Sequence, residues 1–391
     1  MARISLFTYP WDLLVPSIHD ILSELEDLGV AGIDVASAYH AIEAFSPRRM
    51  SLFSSPRGEV HAPVAAERFS GIRPLARVEG SAGWHRLAEA IPGHRLKLNA
   101  WTVLTLQPWM AQDYPDTARV FSTGDPSDVA VCPLNEDVVE FFVTLVGELC
   151  KGFPLEEVRL EACGFIPFDY GMVRPRVLVP MDAFTRWNLG LCFCRSCTEQ
   201  AVAVGIDVPA LQSRTAGRVA AGLYAQHKRD PQWQASLLAS DPELATFLNQ
   251  KTDGVAQFVA ELSRVAGEYG TGLSISYPTE LSGAPTLSVD RAAGLVSSVL
   301  VRAGDAAAAR AAAEYRALFQ RNGSDVELRA FAPDWMMAAG PFDIRSPQGL
   351  RGLAEVGRSH IDEITLFHFG LLRPEDLSVL VRTASGNATS T

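Results

Sequence analysis

The feature that most restricts the architecture is a rhythm: along 391 residues, short runs rich in β-branched and aromatic residues alternate with stretches of helical periodicity. Eight such runs can be counted, at residues 4–9, 32–37, 96–101, 157–163, 273–277, 296–301, 326–331 and 363–369. Parallel neighbours cannot be joined by a tight turn, so strands that alternate with helices predict a parallel sheet with crossover helices. The sixth run, just before the Ala-rich stretch 306–319, can also be read as helix. Amphipathic segments at 17–28, 137–149, 254–269 and 348–356 place apolar residues three or four apart and should cover the outside of the sheet. Eight strand–helix pairs predict an α/β fold of the TIM (β/α)8-barrel type, a single domain over residues 1–382. The Ser/Thr/Asn/Gly-rich residues 383–391 are expected to form a disordered tail.

Composition narrows the partners. The chain is 48% hydrophobic and 20% charged, the balance of a protein with a large core, and its net charge of −11 with no Lys/Arg run argues against nucleic acid. Tyr9 and Pro10 interrupt the amino terminus before a signal-peptide core forms, and no window of 18 uncharged apolar residues occurs, so a cytoplasmic protein without a membrane partner is expected. The oligomeric state stays open, a homo-oligomer included. Gly80-Ser81-Ala82-Gly83 matches neither a Walker loop nor a dinucleotide fingerprint, and no organic cofactor is expected.

Six cysteines are present, three of them in Cys192-Phe193-Cys194-Arg195-Ser196-Cys197. Three thiols in one tight turn suit a tetrahedral thiolate metal site, of the kind zinc prefers, better than a disulfide framework. Cys132, Cys150 and Cys163 are the candidates for the fourth ligand. Cys132 lies in a loop before a helix and is free to reach, Cys150 sits on the core side of a helix, and Cys163 ends a buried strand.

In a TIM barrel, chemistry sits where strands give way to loops at their carboxyl ends. The residues there are Tyr9, Trp11 and Asp12; Asp34, Tyr39 and His40; Asn99 and Trp101; Glu161; Ser276 and Tyr277; Arg329 and Asp334; and His368. Rings interleaved with amides and carboxylates suit a polyhydroxylated ligand, and Tyr9, Trp11, Tyr39, His40, Asn99, Trp101, Tyr277, Arg329 and His368 are its candidate contacts. The long stretches 45–74 and 165–182 read as active-site loops. Strand alternation points Lys97, Asn99, Trp101, Arg159, Glu161, Ser274, Ser276, Glu327 and Arg329 into the bore, where Arg159 and Glu327 are expected to pair. Glu161 can likewise be read as an ion-pair partner of Arg159 or Arg329.

Cys132-Pro133-Leu134-Asn135 before a helix, then a strand ending in Glu161, then Cys192, Cys194 and Cys197 resembles the zinc-containing β-galactosidases of glycoside hydrolase family 42, over roughly residues 132–201. The resemblance implies a structural zinc on Cys132, Cys192, Cys194 and Cys197 and a catalytic acid/base at Glu161. Two departures stand out. Leu160 replaces the Asn that precedes the family's acid/base, and the seventh run offers Asp334 in the following loop where the family has a strand-end Glu. Asp334, Asp34 and Asp169 are the candidates for the second carboxylate. His40 and His368 could also serve as acid or base, or with Asp34 hold a catalytic metal. The expected function is therefore a glycoside-hydrolase-like enzyme acting on a small glycoside or sugar-like metabolite. The alternatives are a lyase, isomerase or transferase that has lost the hydrolase carboxylate pair, and a non-catalytic sugar-binding protein.

Overall fold

The computed structural model of the protein describes residues 2–15, 17–168, 178–224, 232–276, 289–302, 306–332, 347–358 and 361–386. Eight parallel strands follow the eight expected runs: β1 (Arg3–Thr8), β2 (Gly32–Tyr39), β3 (Lys97–Val103), β4 (Glu157–Glu161), β5 (Gly272–Ser276), β6 (Ser298–Arg302), β7 (Glu327–Ala332) and β8 (Glu363–Leu366). Each pairs with the next, and β8 returns to β1 through Arg3–Leu6 against Glu363–Leu366, which closes the barrel. The ambiguous sixth run is a strand, with Val299 between Ile275 and Leu328.

Helices of seven residues or more include all four segments expected from apolar spacing. They are α1 (Ile18–Asp27), α2 (Val78–Ala90), α3 (Glu136–Gly152), α4 (Ala183–Leu189), α5 (Arg195–Ala203), α6 (Val208–Tyr224), α7 (Trp233–Ser240), α8 (Pro242–Gly267), α9 (Ala306–Arg321), α10 (Pro347–Gly357) and α11 (Pro374–Ala384). Helix α3 shows the local logic. Val138, Phe141, Phe142, Leu145, Val146 and Leu149 form one buried stripe, and the Asn135 side chain caps the first turn by accepting from the Val138 N–H. Helix α8 begins twelve residues before the expected 254, because Asp241 caps it and Pro242 occupies its first position, both strong start signals. Helix α11 runs through Ala384 with Thr383 and Ala384 buried, while 387–391 lie outside the described residues.

The stretch 45–74 carries more order than a loop reading implies. Ile42–Ser46 pairs antiparallel with Ser51–Ser55, and Glu59–Val60 adds an antiparallel edge to β2.

Inside the barrel lies a layer of paired charges. Arg159 Nη1 lies 2.6 Å from Asp34 Oδ1 and 2.7 Å from Glu363 Oε1, and its Nε lies 3.0 Å from Glu157 Oε2. Arg329 reaches Asp34 Oδ2 at 2.7 Å and Glu363 Oε1 at 3.0 Å. Asn99 donates to Asp34, Ser5 to Glu363, and Ser297 and Ser298 to Glu157, so the remaining lone pairs are used. The expected Arg159–Glu327 pair does not form. Glu327 stands at the amino-terminal rim, half-exposed and paired with Arg3, whereas Arg159 sits higher, in register with Ser274 and Trp101.

Burial alone would raise the Glu157 and Glu363 carboxyls, but Arg159 and Arg329 outweigh it and hold both below the ordinary 4.5. Their folded values thus lie below the unfolded ones, so the stabilisation is complete above pH ~5 and is lost as pH falls through the carboxylate range. Replacing Asp34 by Ala leaves two buried guanidiniums short of a counter-charge, and urea unfolding is expected to show a loss of about 3–5 kcal/mol. A loss below ~1 kcal/mol would mean that water or another carboxylate takes its place.

Candidate active site at the carboxyl-terminal mouth

Above the ionic layer the bore turns aromatic. Phe7 and Trp101 have ring centroids 4.3 Å apart, and Phe331 and Phe367 close the ring at about 6 Å from Phe7. One level higher, Tyr9 and Trp11 stack at 5.1 Å, Phe53 packs on both, and Tyr39 meets Trp101 at 4.6 Å. These rings belong to an apolar cluster separate from the main core between strands and helices.

Polar groups are set into this wall. Glu161, at the end of β4, accepts a hydrogen bond of 2.9 Å from the Trp101 indole Nε1, which orients its carboxylate. His40 lies flat on Tyr39 at 4.2 Å and donates from Nδ1 to the Ala41 carbonyl at 2.6 Å, so in the neutral ring Nε2 carries the lone pair. Burial lowers its pKa, and the Glu161 charge opposes that shift. His368 accepts from the Gly370 N–H at Nδ1, leaving the proton of the neutral ring on Nε2, which finds no acceptor among the described residues. His61 is fully buried beside Trp11 with neither ring nitrogen partnered among those residues. Burial pushes His61 and His368 down to about 3 and Asp12 up to about 7, so all three are held neutral over much of the acid range. One Asp12 oxygen, Oδ2, is also without a partner there.

Glycines permit this crowding. A Cβ on Gly83 would stand 2.5 Å from the Pro10 carbonyl and one on Gly80 2.6 Å from that of His61, so α2 closes directly on two mouth segments. Gly370 likewise makes room for the Asp12 carboxyl. His61 and Phe53 carried no recognised signal in the sequence. The Gly80/Gly83 spacing, one turn of a helix face, was the available sign of a close approach.

The structure thus gathers Tyr9, Trp11, Tyr39, His40, Trp101, Glu161 and His368 at the mouth. It does not bring Asp34, Asn99 or Arg329 there. They lie below, in the ionic layer, and Asp34 has both oxygens on arginine, which leaves it unsuited to act as a base or metal ligand. Tyr277, Asp169 and Asp334 lie outside the described residues.

Beside the mouth, Cys132, Cys192, Cys194 and Cys197 are buried with all four sulfurs within 4.8 Å of one another, the one group of possible metal ligands that converges among the described residues. Cys132 Sγ and Cys197 Sγ are 3.6 Å apart. That is far from a disulfide and near the ~3.8 Å edge of a tetrahedron with ~2.3 Å metal–sulfur bonds. The donor set fits a closed metal site. Of the other two cysteines, Cys150 and Cys163 are free and apart from the group. Arg119, buried, ties the group to the mouth by donating to the carbonyls of Ile166, in the loop after Glu161, and Gly190, just before Cys192.

No protein-family model matches the chain, and no curated protein sequence does. Its fold is shared with solved glycoside hydrolases. The catalytic domain of beta-amylase from Paenibacillus polymyxa is 11% identical with a TM-score of 0.58, covering 99% of both chains. The glycoside hydrolase domain of PgaB (BpsB) from Bordetella bronchiseptica is 11% identical with a TM-score of 0.58 over 97% of this chain and 98% of that one. A beta-galactosidase from Marinomonas ef1 is 11% identical with a TM-score of 0.54 over 97% of this chain and 59% of that one. At such identities the likeness is one of fold.

Because the folded Asp12 binds its proton more tightly than the unfolded one, its contribution favours folding at low pH and is lost as pH rises from about 4 toward 7. Asp12→Asn is therefore expected to match the wild type near pH 4 and to exceed it by roughly 2–4 kcal/mol at pH 8. Equal stabilities at pH 8 would show that Asp12 ionises freely in the folded protein.

Proposed function

We propose that the protein is a glycoside-hydrolase-like enzyme whose substrate, a small glycoside or sugar-like metabolite, binds at the barrel mouth with Glu161 as proton donor. The observation that carries this reading is the Trp101–Glu161 pair, a strand-end carboxyl oriented by an indole N–H inside an aromatic wall. Sugar C–H faces stack on rings such as Tyr9, Trp11 and Tyr39, and hydroxyls would satisfy the unpartnered nitrogens of His61 and His368 and the Asp12 carboxyl. Sugar chemistry is further supported by the glycoside hydrolases that share the fold.

In glycoside cleavage a carboxylic acid protonates the leaving oxygen while a second group serves as nucleophile or activates water. Glu161 takes the first role in this reading and Asp334, two residues beyond the end of β7 in sequence, the second. One observation favours another chemistry. His40, with its Nδ1–H committed to Ala41, carries its lone pair on Nε2 and lies in the electrostatic reach of Glu161, which opposes the lowering of its pKa by burial. A histidine base facing a carboxylic acid suits proton abstraction, hence a lyase or isomerase.

The four cysteines would hold zinc, which would brace the loops without joining the chemistry, since four thiolates leave no open position for water or substrate. Their convergence supports kinship with the zinc-containing β-galactosidases of family 42. A small substrate and a cytoplasmic setting fit reduced thiols. No helix among the described residues is long and apolar enough to cross a membrane.

The test is Glu161→Gln against a panel of aryl glycosides and sugar lactones. A loss of about 10²–10⁴ in kcat with ligand affinity retained is the expected result. Turnover unchanged in the variant removes Glu161 from the chemistry. Binding without turnover in the wild type makes the protein a sugar-binding module. If His40→Ala abolishes a non-hydrolytic conversion that Asp334→Asn leaves intact, the lyase or isomerase reading replaces hydrolysis.

A further inference from the structure

Lys251, on α8, is 1% exposed, and its ammonium has no carboxylate partner among the described residues. Its Nζ donates to the Cys192 carbonyl at 2.7 Å and lies 4.2 Å from the Phe247 ring centroid and 4.7 Å from that of Phe165. One carbonyl, a hydrogen bond to the Cys197 side chain and two ring faces are weak compensation for an ion whose removal from water costs several kcal/mol, unless that sulfur is charged. A counter-charge is needed, and the nearest groups able to carry it are the sulfurs of Cys132, Cys192 and Cys197, all in electrostatic reach of Nζ. Four protonated thiols would leave the ammonium unbalanced. Four thiolates on a divalent metal carry a net charge of −2, of which one lysine cancels half. The Leu134 N–H, donating to Cys132 Sγ at 3.4 Å, supplies a further positive dipole.

We propose that Lys251 is the charge-compensating positioning residue of a tetrathiolate metal site, and that it couples that site to the active-site mouth. The coupling runs through Phe165, four residues beyond Glu161, whose ring lies on the same ammonium that holds Cys192. This rests on the reading that the cysteines hold a metal. The chemistry selects a borderline-soft divalent cation with a tetrahedral preference, zinc or its cobalt substitute.

The experiment compares wild-type protein with Lys251→Met, which removes charge and donor, Lys251→Gln, which keeps a donor for Cys192 but no charge, and Lys251→Arg, which keeps the charge. Zinc content per chain and the rate of zinc release to a competing chelator are measured, then the thiolate-to-metal charge-transfer absorption after cobalt substitution. Wild type is expected to hold one zinc per chain. The two neutral variants should release it about 10–100-fold faster, as outer-shell substitutions do elsewhere, with the four-sulfur cobalt spectrum retained and with Lys251→Arg close to wild type. If Lys251→Met does not fold, Lys251→Gln decides. Release from the neutral variants at the wild-type rate overturns the role of Lys251 and leaves the metal site standing. Wild-type protein that holds no zinc and gives no cobalt spectrum overturns the metal reading and the proposal with it.

Discussion

The interaction on which the rest of the structure depends is the buried charge layer that fills the barrel below the mouth. Arg159 and Arg329 each bridge two carboxylates contributed by different strands, so β2, β4, β7 and β8 are held to one another across the bore as well as along their edges. A purely apolar filling would stabilise the barrel without fixing orientation. Charges with matched donors do fix it, because any slip in register strands an ion in a medium that cannot solvate it. The cost is that the charged groups must be satisfied, and Ser5, Asn99, Ser274, Thr365 and the Ser297–Ser298 pair serve that task, with Asn99 Oδ1 left without a partner among the described residues.

That expenditure sharpens the contrast with the level above. Lower in the bore nearly every polar atom is matched, whereas at the mouth Asp12, His61 and His368 keep buried atoms unmatched. Unpaired buried polar groups are costly, and they persist in native proteins where water or a ligand completes them. The same desolvation that leaves them unmatched keeps them neutral, so they can donate and accept hydrogen bonds with little electrostatic demand of their own.

Much of this was legible in the sequence, and the limits have physical causes. Strand number and order followed from the alternation of β-branched runs and helical stripes, since a closed parallel barrel buries both faces of every strand. Glu161, Trp101, Tyr39, His40 and His368 could be placed at the mouth because strand ends point there. Asp34 and Arg329 were misassigned to the mouth because alternation gives the face a side chain points to and not its height along the bore. Height is set by the stagger between strands, and the contacts of Asp34 with Arg159, Arg329 and Asn99 put it in the charge layer. The Arg159–Glu327 pairing failed for the same reason. His61 was missed because its place depends on an edge strand and on the helix glycine Gly80, contacts that no local pattern encodes.

The long excursion between β4 and β5 explains why a metal-binding group would be useful in a barrel already closed by its own strands. The chain after β4 leads into several helices that pack outside the barrel, and each added residue brings conformational entropy that must be offset if the segment beside Glu161 is to hold one position. The cysteines gather the loop before α3 and the turn leading into α5 at one point, and Arg119 and Lys251 carry that anchorage to Ile166 and Phe165. Both residues are buried cations, and they bind the segment after Glu161 through a backbone carbonyl and a ring face, contacts that constrain position without consuming a carboxylate. Rigidity is thereby imported to Glu161 from outside the bore, while its carboxyl keeps the tryptophan hydrogen bond that orients it.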